Sequence, residues 1–265
     1  MHNDHAEVNE YGKKLEQALL LRYAPIAVKL LKDEAETPDG YVRPARDLGV
    51  HLAICQAFAL VRRERKALAM FNDDHHCPFP LIAIGSVPFR EGTPEYEMVV
   101  PMLFTEDPDK SRGFFEKHWP RFPEGSFAGF ALAPLSDASF VPDVTLIYCN
   151  PAQLRSLLMA AKFKSGNPVV SEFDSIDSCA HSIVPAMLKR DYRITVPDPG
   201  EYERGLADED EMIFSVPACK IGELVQGVEA VANRGMGYRG LHMEMRTDFP
   251  RPPFYTELFK TWGLG

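Results

Sequence analysis

The richest chemistry in this 265-residue chain belongs to its five cysteines and eight histidines. Two short strings bring them together, His75-His76-Cys77 and Cys179-Ala180-His181. Thiolate and imidazole are the soft and borderline donors that hold zinc, copper or iron–sulfur centres, and a thiolate is also a nucleophile. Cys179 follows Asp177-Ser178, a pair that reads as a helix N-cap. Aligned first-turn amides would favour the thiolate at Cys179. Cys55 lies within the apolar stretch His51–Leu60 and, taken alone, reads as a small packed hydrophobe. Cys149 at a strand end and Cys219 at a helix start read the same way. No Cys-x-x-Cys occurs, which argues against a zinc ribbon, a thioredoxin-like dithiol or a bacterial-ferredoxin run. A site assembled from distant segments remains open.

Other motifs point away from common activities. Gly235-Met236-Gly237-Tyr238-Arg239-Gly240 has the glycine spacing of a dinucleotide fingerprint. It follows a helical stretch instead of a strand, so it reads as a helix C-cap and loop. The run Asp208-Glu209-Asp210-Glu211 lacks the alternating ligands and central glycine of a calcium loop and reads as a solvated turn before a strand. No His-Glu-x-x-His, Gly-x-Ser-x-Gly or Gly-x-x-x-x-Gly-Lys is present. The commonest zinc-protease, hydrolase and nucleoside-triphosphate signatures are therefore missing. Arg204 reads as an anion anchor.

The elements that must position these groups follow from periodicity and punctuation. Helices are predicted over residues 8–21, 51–66, from Asp107-Pro108 through His118, from Asn150-Pro151 to Lys164, from Asp177-Ser178 through Lys189, and over 218–233. Apolar runs predict strands at Pro25–Leu31, Leu81–Gly85, Phe127–Leu132, Val144–Cys149, Pro168–Ser171, Tyr192–Val196 and Met212–Val216. The cluster Arg62-Arg63-Glu64-Arg65-Lys66 reads as the exposed end of its helix. A tail after Pro250-Arg251-Pro252-Pro253 is expected to dock by Phe254, Tyr255, Phe259 and Trp262. Strands and helices mix without a strict βαβ period, so the fold class is α+β, a mixed sheet with several packed helices. One domain is predicted over residues 1–265.

With 45% hydrophobic residues the chain can bury a substantial core. Its net charge of −9 and pI near 5.4 offer no basic footprint for nucleic acid or anionic lipid. The first residues lack a signal peptide's basic and apolar regions, and no apolar run approaches the ~18 residues of a membrane span. The expectation is a cytoplasmic protein, with no nucleic-acid and no membrane partner, whose thiols are reduced and unpaired.

Several strings taken together carry a resemblance. They are Pro25-Ile26-Ala27-Val28, Ile54-Cys55-Gln56-Ala57, the later Cys77, Val141-Pro142-Asp143-Val144, Asn150-Pro151-Ala152-Gln153, the lone Cys179, and Gly205-Leu206 leading to Asp210-Glu211-Met212-Ile213-Phe214-Ser215-Val216-Pro217. The chain resembles the "domain of unknown function 169" family of bacterial and archaeal proteins over roughly residues 10–240. The family has no assigned activity. Its recurring Cys-Gln and later lone cysteines imply a metal or iron–sulfur site and single out Cys55, Cys77 and Cys179 as a set. Many relatives carry a further cysteine in a Cys-x-Gly-x-Arg string before the Gly-Leu, where this chain has Val196-Pro197-Asp198-Pro199-Gly200-Glu201.

Three readings result. In the first, Cys55, Cys77 and Cys179 bind an iron–sulfur cluster, a 4Fe-4S cubane, for redox or Lewis-acid chemistry on a small molecule. A histidine (His75, His76 or His181), an external ligand or an open iron completes it, Arg204 contacts substrate, and a redox partner or homo-oligomer fits the same picture. The second is a metal-free small-molecule-binding enzyme that uses Cys179 or His75 and His76 for nucleophilic or acid–base work. The third is a regulatory protein whose cysteines are structural.

Overall fold

The computed structural model describes residues 4–102, 105–239 and 251–264. In chain order the elements are α1 (His5–Leu19), β1 (Ile26–Leu31), α2 (Ile54–Glu64), β2 (Leu68–Phe71), α3 (Phe79–Ala83), α4 (Pro94–Val99), α5 (Pro108–Lys117), β3 (Gly129–Pro134), β4 (Val144–Cys149), α6 (Pro151–Ser165), α7 (Ser178–Lys189), β5 (Arg193–Thr195), α8 (Pro199–Glu203), β6 (Met212–Pro217), α9 (Ile221–Asn233) and α10 (Pro253–Thr261). The strands form one six-stranded sheet in the order β2-β3-β1-β4-β6-β5. Every strand pairing is antiparallel, which fits the predicted α+β class.

The strands read as unbroken apolar runs because both faces of the sheet are covered. On one face Ala27, Ala131, Ile147 and Phe214 meet Leu15 of α1, Leu157 of α6 and Leu224 of α9. On the other, Val28, Phe130, Leu146 and Ile213 meet Phe58 and Val61 of α2 and Ile183 of α7. The first layer is tied by local chemistry. Asn150 and Gln153 form a reciprocal capping box on α6, and Gln153 also donates to the Leu19 and Leu20 carbonyls at the end of α1. At Gly227 a Cβ would come within 2.3 Å of the Ala160 carbonyl oxygen, so glycine allows α6 and α9 to touch. Outside α7 a third cluster gathers Phe89, Phe115 and Trp119 against Ala180 and Val184.

Most predicted elements are present within a residue or two of their expected ends. Leu81–Gly85, expected as a strand, instead belongs to α3 and its C-terminal turn. A short continuous apolar run fits a buried helical turn as well as a strand, and Pro80 sits in the first turn, where proline is tolerated. Pro168–Ser171 forms no strand. There Ser171 Oγ accepts the Ile194 amide at 2.6 Å and donates to its carbonyl at 3.1 Å, so a side chain takes the place of a ladder at the β5 edge. β2 was not anticipated.

The basic cluster is also not uniformly exposed. Arg62 is buried, pairs with Glu211 Oε1 at 2.8 Å, donates to the Gly205 and Leu206 carbonyls, and stacks on Tyr148 at 4.2 Å. Glu209 and Asp210 form the expected exposed turn before β6, closed by the Glu211 amide on the Asp208 carbonyl, but the Glu211 side chain is buried. Gly235 caps the end of α9 with a left-handed φ of 77°, as its context predicted, while Gly240 lies outside the described residues. α10 buries none of its residues, and its aromatics pair with one another, as Phe259 and Trp262 do.

Candidate functional site

The three cysteines singled out as a set come from distant stretches and line one cavity of about 340 Å³. Each sits at the start of a helix. Cys55 and Cys179 are the second residues of α2 and α7, and Cys77 lies two residues before α3. Asp198, the N-cap of α8, and Arg204, just past its end, complete the polar wall. First-turn amides of a helix are unpaired within the helix and carry partial positive charge. This cavity gathers such ends beside sulfur.

Local bonds explain the convergence. At the start of α2, Ala53 has no capping side chain, and Gln56 Oε1 accepts the Ala53 amide at 2.8 Å, which gives the Cys-Gln pair a structural role. The Leu52 amide donates to the Asp74 carbonyl and the His76 amide to the Leu52 carbonyl, each at 2.9 Å, which pins the chain before Cys77 beside the chain before Cys55. Buried Asp74 fixes that segment further through Arg43 Nε at 2.6 Å and the amides of Ala45 and Phe71. At Gly205 a Cβ would lie 3.0 Å from the Cys55 Cβ and carbonyl oxygen, so glycine lets the turn after α8 pack against the start of α2.

The start of α7 differs from its expected form. Asp177 occupies the N-cap position with a left-handed backbone, φ 55° and ψ 57°, and its side chain caps nothing. Asp198 does that work from α8, accepting the Ser178 amide at 2.8 Å and the Ser178 hydroxyl at 3.1 Å. The Asp177 carboxylate turns to Trp119, whose indole N–H donates to it at 2.8 Å.

Electrostatically the cavity holds its thiols protonated. Burial, then the charges of Glu201 and Asp198, push Cys55 up to about 12, with Arg204 opposing. Burial raises Cys77 against the nearby Phe79 amide. Burial, Asp177 and Asp198 raise Cys179 well above the ordinary thiol range. The expectation of a cap-stabilised thiolate at Cys179 is thereby corrected, because desolvation and two carboxylates outweigh the helix end. Burial and Asp198 also lift Asp177 to about 7, with the Trp119 bond opposing. Bound cations invert this logic, since a coordinated thiol is deprotonated outright.

The histidines lie elsewhere. His75 packs on Phe130 at 5.8 Å with both ring nitrogens unpartnered among the described residues, and burial lowers it to about 4. His76 is exposed. His181 faces a second, smaller cavity on the other side of α7, beside His118 and Arg193. None of the three lines the thiol cavity, whereas Arg204 does. Cys149, at the end of β4, is buried with its Sγ 3.6 Å from the Met212 carbonyl of neighbouring β6, and Cys219 is exposed. Sequence reasoning missed Asp177 as a cavity carboxylate and Trp119 as its partner. An Asp-Pro cap signal at Asp198-Pro199, like that at Asp107-Pro108, could have revealed α8.

Among the described residues no three His, Cys, Asp or Glu side chains converge tightly enough to hold a single metal ion. A polynuclear cluster makes a different demand. Its thiolates bind separate irons and are therefore set apart around a cage. Three thiols spaced around one cavity, with helix amides behind them, suit that donor pattern.

The fold and this cavity define an antiparallel α+β protein with a thiol-lined site closed by helix N-termini. The chain belongs to the DUF169 family, described as uncharacterised ArCR, whose model matches residues 14–227. That span includes all three cavity cysteines and Arg204. A similar relative is an uncharacterised protein of Methanocaldococcus jannaschii, 25% identical over 227 residues that cover 84% of this chain and 94% of the relative. No solved structure matches the chain. Among the described residues no helix is long and apolar enough to cross a membrane.

Proposed function

We propose that this protein holds an iron–sulfur cluster, a 4Fe-4S cubane, through Cys55, Cys77 and Cys179. The observation that carries the reading is the meeting of these three thiols, and not Cys149 or Cys219, in one cavity. Sulfur donors of this number and softness favour iron–sulfur chemistry, and the helix ends behind them favour the anionic form that a thiolate-held cluster adopts. When bound, such a cluster supplies electron transfer or a Lewis-acidic iron. The chain's own residues shape what reaches it. Arg204 stands as the cation of the cavity wall and would hold an anionic group of a small substrate, while Phe79 and Ile176 keep part of the wall apolar.

The metal-free reading has less support, because burial holds all three cavity thiols in the unreactive protonated form. Anaerobic reconstitution of single Cys→Ala variants tests the proposal. Cys55→Ala, Cys77→Ala and Cys179→Ala should each lose most bound iron and sulfide, while Cys149→Ala and Cys219→Ala retain the wild-type content. Equal iron in all five variants would overturn it.

A further inference from the structure

Three thiolates leave one iron of a cubane without a cysteine, and the histidines adjoining the cysteines in sequence do not line the cavity. Three acidic residues do line it, Asp177, Asp198 and Glu203. Asp198 is fully engaged, with Oδ1 accepting the Glu201 amide at 2.9 Å and Oδ2 accepting from Ser178. Glu203 is 71% exposed and sits 3.8 Å from Arg204. Asp177 differs from both. It is 8% exposed, and it forms no ion pair among the described residues.

One Asp177 oxygen, Oδ2, is held by Trp119 Nε1 at 2.8 Å. The other has no hydrogen-bond partner among the described residues. Trp119 is itself immobilised, buried between Phe115 and Phe89 at ring distances of 5.6 and 5.9 Å. A ligating carboxylate is characteristically oriented in this way, one oxygen fixed by an outer partner and the other left for the metal. A buried carboxylate is stable when it is paired or coordinates a cation, and no side-chain cation pairs with this one. The left-handed backbone at residue 177 directs the carboxylate away from the helix end it would otherwise cap, and Asp198 takes over that cap.

We propose that Asp177 supplies the fourth ligand, through oxygen, to a cluster held by Cys55, Cys77 and Cys179, which makes one iron chemically distinct. This rests on the iron–sulfur reading above and adds a residue to it. A carboxylate binds iron less tightly than thiolate does, so the iron bound by Asp177 is the one open to exchange with an oxygen-bearing small molecule.

Iron-57 Mössbauer spectra of the anaerobically reconstituted full chain test the assignment. The wild type should resolve two iron environments in a ratio of roughly three to one, as a cubane with one non-cysteine ligand requires. Asp177→Cys should merge them into a set typical of all-thiolate ligation, and its retained cluster would also report a folded chain. Asp177→Asn should lose the distinct iron on mild oxidation and develop the paramagnetic signal of a three-iron cluster much faster than the wild type. A wild-type cluster whose spectrum and oxidative stability are unchanged in both variants would overturn the role of Asp177 while leaving the cluster reading intact. A wild type that takes up no iron would overturn both.

Discussion

Asp198 Oδ2 accepts the Ser178 amide at 2.8 Å while Asp198 Oδ1 accepts the Glu201 amide at 2.9 Å, so one carboxylate caps two helices that open on the same cavity. The first residue of α7 is thereby fastened to the N-cap of α8, and Cys179 is held against the wall that Arg204 completes. Helix caps of this kind contribute about 1 kcal/mol each.

Asp198→Ala should therefore lower stability by about 2 kcal/mol. Asp198→Asn, which keeps an oxygen for Glu201 but loses the Ser178 bond, should fall between. Urea unfolding midpoints of the metal-free chain measure this. An Asp198→Ala midpoint equal to that of the wild type would mean that the shared cap does not hold the two helix starts together.

Behind that cap Glu201 is buried and accepts from Tyr148 Oη at 2.9 Å, it shares the single Ser178 hydroxyl proton with Asp198 at 3.1 Å, and its Oε2 has no partner among the described residues. Burial, then the Asp198 charge, lifts this carboxyl from 4.5 to about 8. A folded-state pKa above the unfolded one means that the native state binds the extra proton. Stability is then fully present below the unfolded value and is lost as pH rises through about 8. Glu201→Gln cannot titrate. Its stability relative to the wild type should thus rise between pH 5 and pH 9 by on the order of a few kcal/mol. Parallel pH profiles of the two proteins would contradict the buried titration.

Thiol reactivity separates the metal-bound and metal-free readings from a second direction. In the metal-free chain at neutral pH, exposed Cys219 should alkylate first, and Cys55, Cys77 and Cys179 should lag at least tenfold, because burial disfavours the thiolate in each. Peptide mapping after timed iodoacetamide treatment resolves the order. Rapid selective labelling of Cys179 would restore the nucleophile that its helix-start position first suggested.

How much of this was legible in the sequence follows from where each signal resides. Caps announced by a side chain next to proline, Asn150-Pro151 and Asp107-Pro108, located α6 and α5 because the bonds that make them are local. Leu81–Gly85 misled because a short apolar run has the same composition in a strand and in a buried helical turn. Arg62 looked like a surface charge, and its burial depends on Glu211 and Tyr148, which no local pattern reveals. The cysteine set was legible only through family resemblance. The pairing of Asp177 with Trp119 crosses 58 positions and is invisible to spacing, and the adjacency of His75 and His76 to Cys77 pointed to ligands that the fold turns elsewhere.

The cluster itself is tested most directly by the iron and acid-labile sulfide content of the full chain expressed and purified without oxygen. A brown protein with broad visible absorption and about four irons and four sulfides per chain is the expected result. A colourless chain that carries neither, and acquires neither on anaerobic reconstitution, would contradict it.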